Sequence, residues 1–348
     1  MTASHNDLPE KIDASIDKAI DYLYHHQFPN GEFVSYIAPD EAMQEWCAPE
    51  GVNFLTGLIG LCLLPHQHLP IVDQILTNIT NSLRYQMMRG GVWQHQTKAH
   101  RAYDYLAPDA DDTAMISTLL KARNVPFPDN RGLMLCNRAG NGLFYTWFTL
   151  HGNFVKNSTA FWRLIARELK HPFKVLFYWA KGVHNRNDID AVVNANVVSY
   201  LGHSEFTEPS IKYLSDLLVN DKEANSDKWY LNPLVYYYFI ARLVPLKIEP
   251  IAAIKDLLIK KIKKAATESA AFQTCDMEVA ITLSSLLRLG CKDSDTANYI
   301  EHLLFSQKDK GNWERYAFYT LPPKTLFWGS EELTTALCIE ALHLYKEF

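Results

Sequence analysis

The chain has little of what marks a disulfide scaffold, a zinc module, a secreted precursor or a membrane span. Its six cysteines (Cys47, Cys62, Cys136, Cys275, Cys291 and Cys338) are scattered, and none forms a CxxC pair. Neither a disulfide framework nor a zinc knuckle is therefore indicated. Free thiols in a reducing cytosol are the plain reading, and a cytoplasmic location is expected. Met1 to Glu10 is polar and lacks the apolar core of a signal peptide. No run reaches the roughly 18 to 20 apolar residues that a spanning helix requires. Positive charge is not in excess either. The formal net charge is -5, which argues against a nucleic-acid partner. The histidines, His25, His26, His95, His184 and His302 among them, show no metal-ligand spacing. No metal or cofactor is called for.

What is present begins with a core. Of 348 residues, 48% are hydrophobic and 21% charged, so the chain can bury a large interior and disorder is not expected. The length fits one large domain or two ordinary ones. Aromatics are dense, with 18 Tyr, 17 Phe and 8 Trp. That number suggests aromatic walls as well as core filling.

A degenerate repeat punctuates the sequence. Gln27-Phe28-Pro29-Asn30-Gly31-Glu32-Phe33 places Gln, Gly and an aromatic at the same spacing as Gln307, Gly311 and Trp313. Gln86, Gly91 and Trp93 repeat it with one extra residue, and Asn141-Gly142-Leu143-Phe144 reads as a decayed copy. The glycine suits a turn with positive φ, and the aromatic can pack back on the preceding helix. Between the turns, strongly apolar helical patterns start near Gly51, Asp111, Asp190, Asn232, Asp276 and Glu332. Amphipathic, charged patterns alternate with them, at Leu8 to His25, Pro70 to Met87, Glu208 to Val219, Pro250 to Thr267 and Ser294 to Phe305. Strand alternation is nearly absent, so the expected class is all-α. Six buried helices alternating with amphipathic ones predict a single (α/α)6 toroid over residues 1–348. Its inner helices would present their polar starts at one mouth of an apolar cavity. An open helical solenoid is the alternative.

Asp109-Ala110-Asp111-Asp112-Thr113-Ala114 packs three carboxylates into four residues where a helix begins. Capping explains one acid well and two tolerably. The third is surplus, and carboxylates this close cannot all ionise cheaply. A carboxylic acid held protonated beside an apolar cavity is a proton donor.

This segment resembles the DxDDTA motif of class II terpene cyclases of the squalene–hopene cyclase type, and the Gln/Gly/aromatic turns are similar to that family's QW repeats. Asn194 to Gly202 resembles the helix on which those cyclases carry a histidine that bonds the acid motif, with Asn196 in the histidine position. The chain has room for one α-barrel where squalene-type cyclases have two. It therefore looks like a monodomain meroterpenoid cyclase, of the kind that cyclises prenylated aromatic acids and is typified by merosterolic acid synthase. The resemblance implies that Asp111 protonates a terminal alkene of a linear isoprenoid, that Asp109 and Asp112 hold and orient it, and that Asn196 orients it without supplying charge. The carbocation would then migrate between aromatic faces. Candidates for these are Trp46, Phe54, Tyr103, Tyr105, Phe144, Trp147, Tyr236, Tyr237, Tyr319 and Trp328.

Other features compete for attention. Asn187-Asp188-Ile189-Asp190 is a helix cap, a second acid pair or a terminating base, the cap being the simplest. Cys275-Asp276-Met277-Glu278 reads as structural. No Asp-x-Cys element with a distant histidine is evident, which disfavours a zinc protein prenyltransferase subunit. Residues 156–186 carry Lys156, Arg163, Arg167, Lys170, Lys174, Lys181 and Arg186 among Phe161, Trp162, Phe173, Phe177, Tyr178 and Trp179, with Glu168 as the lone acid. Such a stretch suits peripheral contact with a membrane surface, or an outer helix packed on the barrel. Two other functions stay open. One is a glycan-active (α/α)6 hydrolase or lyase pairing Asp111 with Asp190 or Glu332. The other is a non-catalytic toroid that binds a hydrophobic ligand.

Overall fold

A computed structural model of the chain describes residues 8–151, 159–180, 185–230, 232–321 and 325–348. Lys156, Lys181 and His184, singled out above, lie outside the described residues.

Helices alternate between an outer and an inner layer. Outer α1 (Leu8–His26) precedes inner α2 (Asn53–Leu63), and outer α3 (Pro70–Gln86) precedes inner α4 (Ala110–Ala122). The third pair departs from the expected pattern. Its outer member is the short α5 (Arg131–Cys136), followed by α6 (Thr159–Ile165) and α7 (Pro172–Ala180) before the inner α8 (Ala191–Leu201). The remaining pairs are α9 (Glu208–Val219) with α10 (Pro233–Ala241), then α12 (Lys255–Glu268) with α13 (Asp276–Arg288), and α14 (Ser294–Ser306) with α15 (Glu331–Glu347). A one-turn helix, α11 (Glu249–Ala253), precedes α12, so the amphipathic stretch expected from Pro250 is broken at Ile254.

The inner helices form a closed ring. α2 packs on α4, α4 on α8, α8 on α10, α10 on α13, α13 on α15, and α15 returns to α2. The fold is an (α/α)6 toroid. Sequence explains the layering. All of Asn53–Leu63 is buried, and Gly57 and Gly60 let Ile116 and Leu119 of α4 approach closely. The outer α3 instead buries Val72, Ile75, Leu76, Ile79 and Leu83, one face of a 3.6-residue helix.

The turns fasten the layers. Gln27 Nε2 donates to the Gly31 carbonyl (3.2 Å) and to the Ile75 carbonyl of α3 (3.1 Å). Gln307 Nε2 donates to the Gly311 carbonyl (2.8 Å) and to the Ser15 carbonyl of α1 (2.9 Å). These two turns thus link their own loops to a neighbouring outer helix, the later one reaching back to α1, whereas Gln86 donates instead to Glu32 Oε1 at 2.9 Å. Gly31 and Gly311 have φ of 88° and 96°. A Cβ on either would stand 2.1 Å from the Asn78 carbonyl oxygen or 2.3 Å from that of Lys18. The aromatic of each turn is buried, and its backbone N–H meets a side chain in the first turns of the following inner helix. Phe33 donates to Thr56, Trp93 to Thr113, Phe144 to Asn194 and Trp313 to Thr335, over 3.0–3.3 Å. Thr113 of the acid motif is therefore a clamp on its own turn.

A small antiparallel sheet was not legible as alternation, because its strands are only three or four residues long. β1 (Ser35–Ala38), β2 (Ala48–Glu50), β3 (Tyr319–Leu321) and β4 (Leu326–Gly329) stand in the order β2-β1-β4-β3. β1 pairs with β4 through Ile37 opposite Trp328, so the sheet joins the first and last repeats at the mouth of the toroid.

Gly311→Ala is expected to destabilise the protein by more than about 1 kcal/mol, because the φ is unfavourable and the added carbon meets backbone. Gly132→Ala, where nothing lies within 4 Å of the added carbon, is the control. The urea midpoints of the two variants give the comparison.

Candidate active site

The start of α4 is held on both sides by backbone. The Asp109 N–H donates to the Trp93 carbonyl (3.0 Å) and the Ala110 N–H to the Thr146 carbonyl (2.8 Å). Asp109 is the N-cap, its Oδ1 accepting from the Asp112 N–H at 2.7 Å. That geometry turns Asp111 toward the axis of the toroid. Asp109 and Asp112 are buried, whereas Asp111 is partly open to a cavity. Asp111 Oδ1 accepts from Asn196 Nδ2 of α8 at 2.6 Å, and Oδ2 accepts from the Tyr230 hydroxyl at 2.7 Å. Tyr230 stands just before α10, so α4, α8 and the α10 entrance converge on one carboxyl.

His95 closes the other flank. Asn53 Nδ2 donates to the carbonyls of Gln94 (2.8 Å) and Gln96 (3.1 Å), which fixes the strand-like segment between them. His95 Nδ1 then lies 3.7 Å from Asp112 Oδ2, and its Nε2 is 2.8 Å from the Tyr319 hydroxyl.

Electrostatics follow from this crowding. Burial raises the Asp111 carboxyl above its ordinary value, partly offset by the hydrogen bonds from Asn196 and Tyr230. Asp112 is pushed up to about 8 by burial and by the charge of Asp111. Asp109 is raised well above the ordinary range by burial, then by Asp112 and Asp111. Burial lowers His95 and favours the neutral ring, against the pull of the nearby acids. Among the described residues, no group donates a hydrogen bond to Asp109 Oδ2 or Asp112 Oδ1, both buried, which suits carboxyls that carry protons. The site can hold a neutral carboxylic acid facing a cavity, with donors ready to stabilise the carboxylate it becomes.

The cavity measures about 290 Å³. Phe54, Tyr105, Trp147, Tyr178, Trp229, Tyr230, Tyr319 and Trp328 give it aromatic walls, with Leu106, Val193 and Leu321 between them. Tyr319 and Trp328 are stacked, 5.5 Å apart and 7° from parallel. Trp147 meets Trp229 edge to face at 5.6 Å. Trp328 is oriented by Glu50, whose Oε2 accepts from its Nε1 at 2.5 Å. Asp188 holds the opposite wall, accepting from Thr146 Oγ1 at 2.7 Å, from Trp229 Nε1 at 3.3 Å and from the Lys228 ammonium.

Of the aromatic candidates, Phe54, Tyr105, Trp147, Tyr319 and Trp328 lie on the cavity, and the other five do not. Trp46 is 56% exposed on the surface. Phe144 is buried as the aromatic of its turn, packed in the subsidiary core. Tyr103 is half-buried under the Arg167 guanidinium, 5.0 Å from ring centre to carbon. Tyr236 is buried among the helices, and Tyr237 turns its hydroxyl to Glu223 at 3.0 Å on a different, polar cleft. These residues misled because an apolar helix is buried all round, so spacing alone does not tell its axial face from its outer one. Asn196 reaches Asp111 from behind the cavity wall. Asp190 is a cap, accepting from the Val192 and Val193 N–H groups (2.8 and 3.3 Å). Neither Asp190 nor Glu332 lines the cavity. Glu278 accepts from Asn232 and Ser269, and Asp276 stands 3.0 Å from His302, both structural roles. The sequence alone does not mark Tyr230 or Trp229, and it places Tyr178 in the basic aromatic stretch of 156–186 rather than on the cavity. A signal existed for Tyr230, since it precedes an inner helix much as the acid motif does. His95, which has no metal-ligand spacing in the sequence, joins the site through Asp112 and Tyr319 instead. Among the described residues, no group of three or more His, Cys, Asp or Glu side chains is arranged to hold a metal ion.

Comparison with known structures places the fold. The chain is similar to the type II terpene cyclase MstE from Scytonema, solved as a variant with geranylgeranyl dihydroxybenzoate. The TM-score is 0.71 at 15% identity, over 98% of this chain and 99% of that one. A protein from Actinoplanes gives 0.68 at 14% identity, over 96% and 99%. An unsaturated glucuronyl hydrolase specific for heparin gives 0.57 at 12%, over 97% of both chains. No family model matches the sequence, and no curated protein matches it.

Asp112 binds a proton in the fold up to about pH 8 but only to about pH 4 when unfolded. Folding therefore takes up protons in that window, and stability falls as pH rises through it. The melting temperature is expected to decline from pH 5 to pH 8. Asp112→Asn should flatten that decline and raise the melting temperature at pH 8, measured by calorimetry across the series.

Proposed function

We propose that the chain is a class II terpene cyclase, acting as one domain over 1–348 on a linear prenyl chain, with prenylated aromatic acids as the substrate class. The observation that carries this reading is Asp111 itself. It is a carboxyl raised by burial, open to an aromatic cavity, with a hydrogen-bond donor on each oxygen.

The Asp111 O–H proton is delivered to the terminal alkene. The π electrons form the new C–H bond, and a tertiary carbocation remains. Asn196 and Tyr230 stabilise the carboxylate left behind, an interaction stronger after transfer than before it, and so one that lowers the barrier. Successive double bonds of the folded chain then attack the cation and close rings. Aromatic faces favour the moving charge by about 0.5–2 kcal/mol each when desolvated. Loss of a proton to solvent from the carbon next to the last cation forms the final alkene, and a solvent proton restores the Asp111 carboxylic acid. Substrate and product have the same composition, so the reaction is an isomerisation, and its protonation step needs no metal. The likeness to a type II terpene cyclase crystallised with a geranylgeranyl aromatic acid supports the same substrate class. A glycan-cleaving reading needs a second carboxyl across the bond, and Asp190 and Glu332 are placed elsewhere.

Incubation with farnesylated and geranylgeranylated aromatic acids, and with prenyl diphosphates, in deuterated water is expected to yield a cyclised product carrying one new deuterium. Asp111→Asn should remove turnover while leaving the melting temperature within a few degrees of the parent. Retained cyclisation by that variant would refute the assignment. Because Asp111 must be protonated to act, and burial raises its carboxyl above the ordinary range, kcat/KM should be highest at low pH and fall with a single ionisation as pH rises.

A further inference from the structure

Part of the cavity wall is a strap, residues 226–230, between α9 and α10. It carries two of the aromatic side chains on the cavity, Trp229 and Tyr230. The Ser226 carbonyl accepts from the Ala191 N–H at the start of α8 (2.9 Å), and the Trp229 carbonyl accepts from the Thr320 N–H of β3 (2.7 Å). Carboxylates hold what lies between. Asp190 Oδ2 accepts from the Lys228 N–H at 2.9 Å. Asp227 Oδ1 accepts from the N–H groups of Trp229 and Tyr230, at 2.9 and 3.1 Å. Asp188 takes the Lys228 ammonium and the Trp229 indole. Three successive N–H groups thus end on carboxyl oxygens. The Asp227 carboxyl also bonds that of Asp190, and two carboxyls bond only when one of them holds a proton. Burial pushes Asp227 up to about 7, and burial with the charges of Asp227 and Asp188 raises Asp190 well above the ordinary range. The Tyr230 ring packs against Phe54, Phe239 and Phe318 at 5.4–6.1 Å. Such packing is weakly directional, so the strap backbone sets how far the hydroxyl reaches.

We propose that Asp227 is a positioning residue, which acts through the strap to hold the Tyr230 hydroxyl on the Asp111 carboxyl. It does not line the cavity. Asp188 and Asp190 have duties elsewhere, on Thr146 and on the start of α8, whereas Asp227 accepts the Tyr230 N–H itself. The Tyr230 to Asp111 bond is 2.7 Å long, so a strap displaced by about 1 Å carries it out of hydrogen-bond range. The carboxylate formed by proton transfer would then keep Asn196 as its side-chain donor and lose the other. That bond strengthens on transfer, so its loss lowers kcat and leaves KM nearly unchanged. The effect on turnover rests on the cyclase reading, and the effect on Tyr230 rests on the geometry.

The full chain, labelled with tyrosine that carries carbon-13 at Cζ, reports the Tyr230 hydroxyl by NMR, and Tyr230→Phe identifies the resonance. Asp227→Asn keeps an oxygen for the two N–H groups and an amide that can donate to Asp190. Its Tyr230 resonance should stay in the parent position, with kcat within about threefold of the parent. Asp227→Glu keeps the charge but moves the oxygen by one methylene. The resonance should shift, and kcat should fall by about tenfold or more with KM within about twofold. Asp227→Ser, which draws the oxygen back, should act in the same direction. A Tyr230 resonance unmoved in both the glutamate and serine variants would overturn the proposal. So would an asparagine variant displaced as far as the glutamate one, or a loss confined to KM. The resonance needs no substrate. A chain that cyclised none of the prenyl acids would therefore refute the cyclase reading and leave this inference to the spectrum.

Discussion

The organising constraint is the crowding of three buried carboxyls at one helix start. Left to itself, this cluster would swing outward into water, where each acid could ionise. The Trp93 and Thr146 carbonyls prevent that by gripping the backbone at Asp109 and Ala110, and Thr113 grips Trp93 in return. The backbone is held, so the side chains respond by keeping protons. Stability is given up at this point to maintain an acid where water would abolish it. The surrounding ring of helices provides the rigidity that makes such a concession tolerable.

The division of labour among the acids follows from direction. Asp109 faces its own helix and caps it, and Asp112 faces the His95 flank. All three line the aromatic cavity, but Asp111 is the least buried of them, with Asn196 and Tyr230 on its two oxygens. A histidine at position 196 would bring a full charge to that carboxyl. Asparagine brings only a dipole, and the tyrosine hydroxyl adds a second. Acidity is therefore tuned by neutral donors, with the imidazole placed one carboxyl away.

Much of the toroid was legible in the sequence. The inner helix starts expected near Asp111, Asp190, Asn232, Asp276 and Glu332 lie within a residue or two of those in the structure, because strongly apolar runs with polar beginnings have few other solutions. The turn signature was legible because its glycines are demanded by backbone contact rather than by propensity. The sheet was hidden by its short strands, and α5 by the shortness of its outer helix. At the site, the acid motif declared itself through an excess of like charge. His95 and Tyr230 did not, since each lies in a loop whose distance from α4 is set only when the ring closes. The aromatic walls were half legible for a similar reason. An apolar residue on an inner helix is buried whichever way it points.

The turn at Gln307 and Gly311 docks on α1, the first helix of the ring, with Ser15 and Lys18 as its receptors. Those partners are nearly three hundred residues apart in sequence, so one side of α1 has no resting place until residues beyond 300 have been made. The first helix of the ring therefore waits on one of its latest turns to complete its packing. Until then the face of α1 that carries Ser15 and Lys18 stays open to solvent, which the polar residues of this amphipathic helix tolerate.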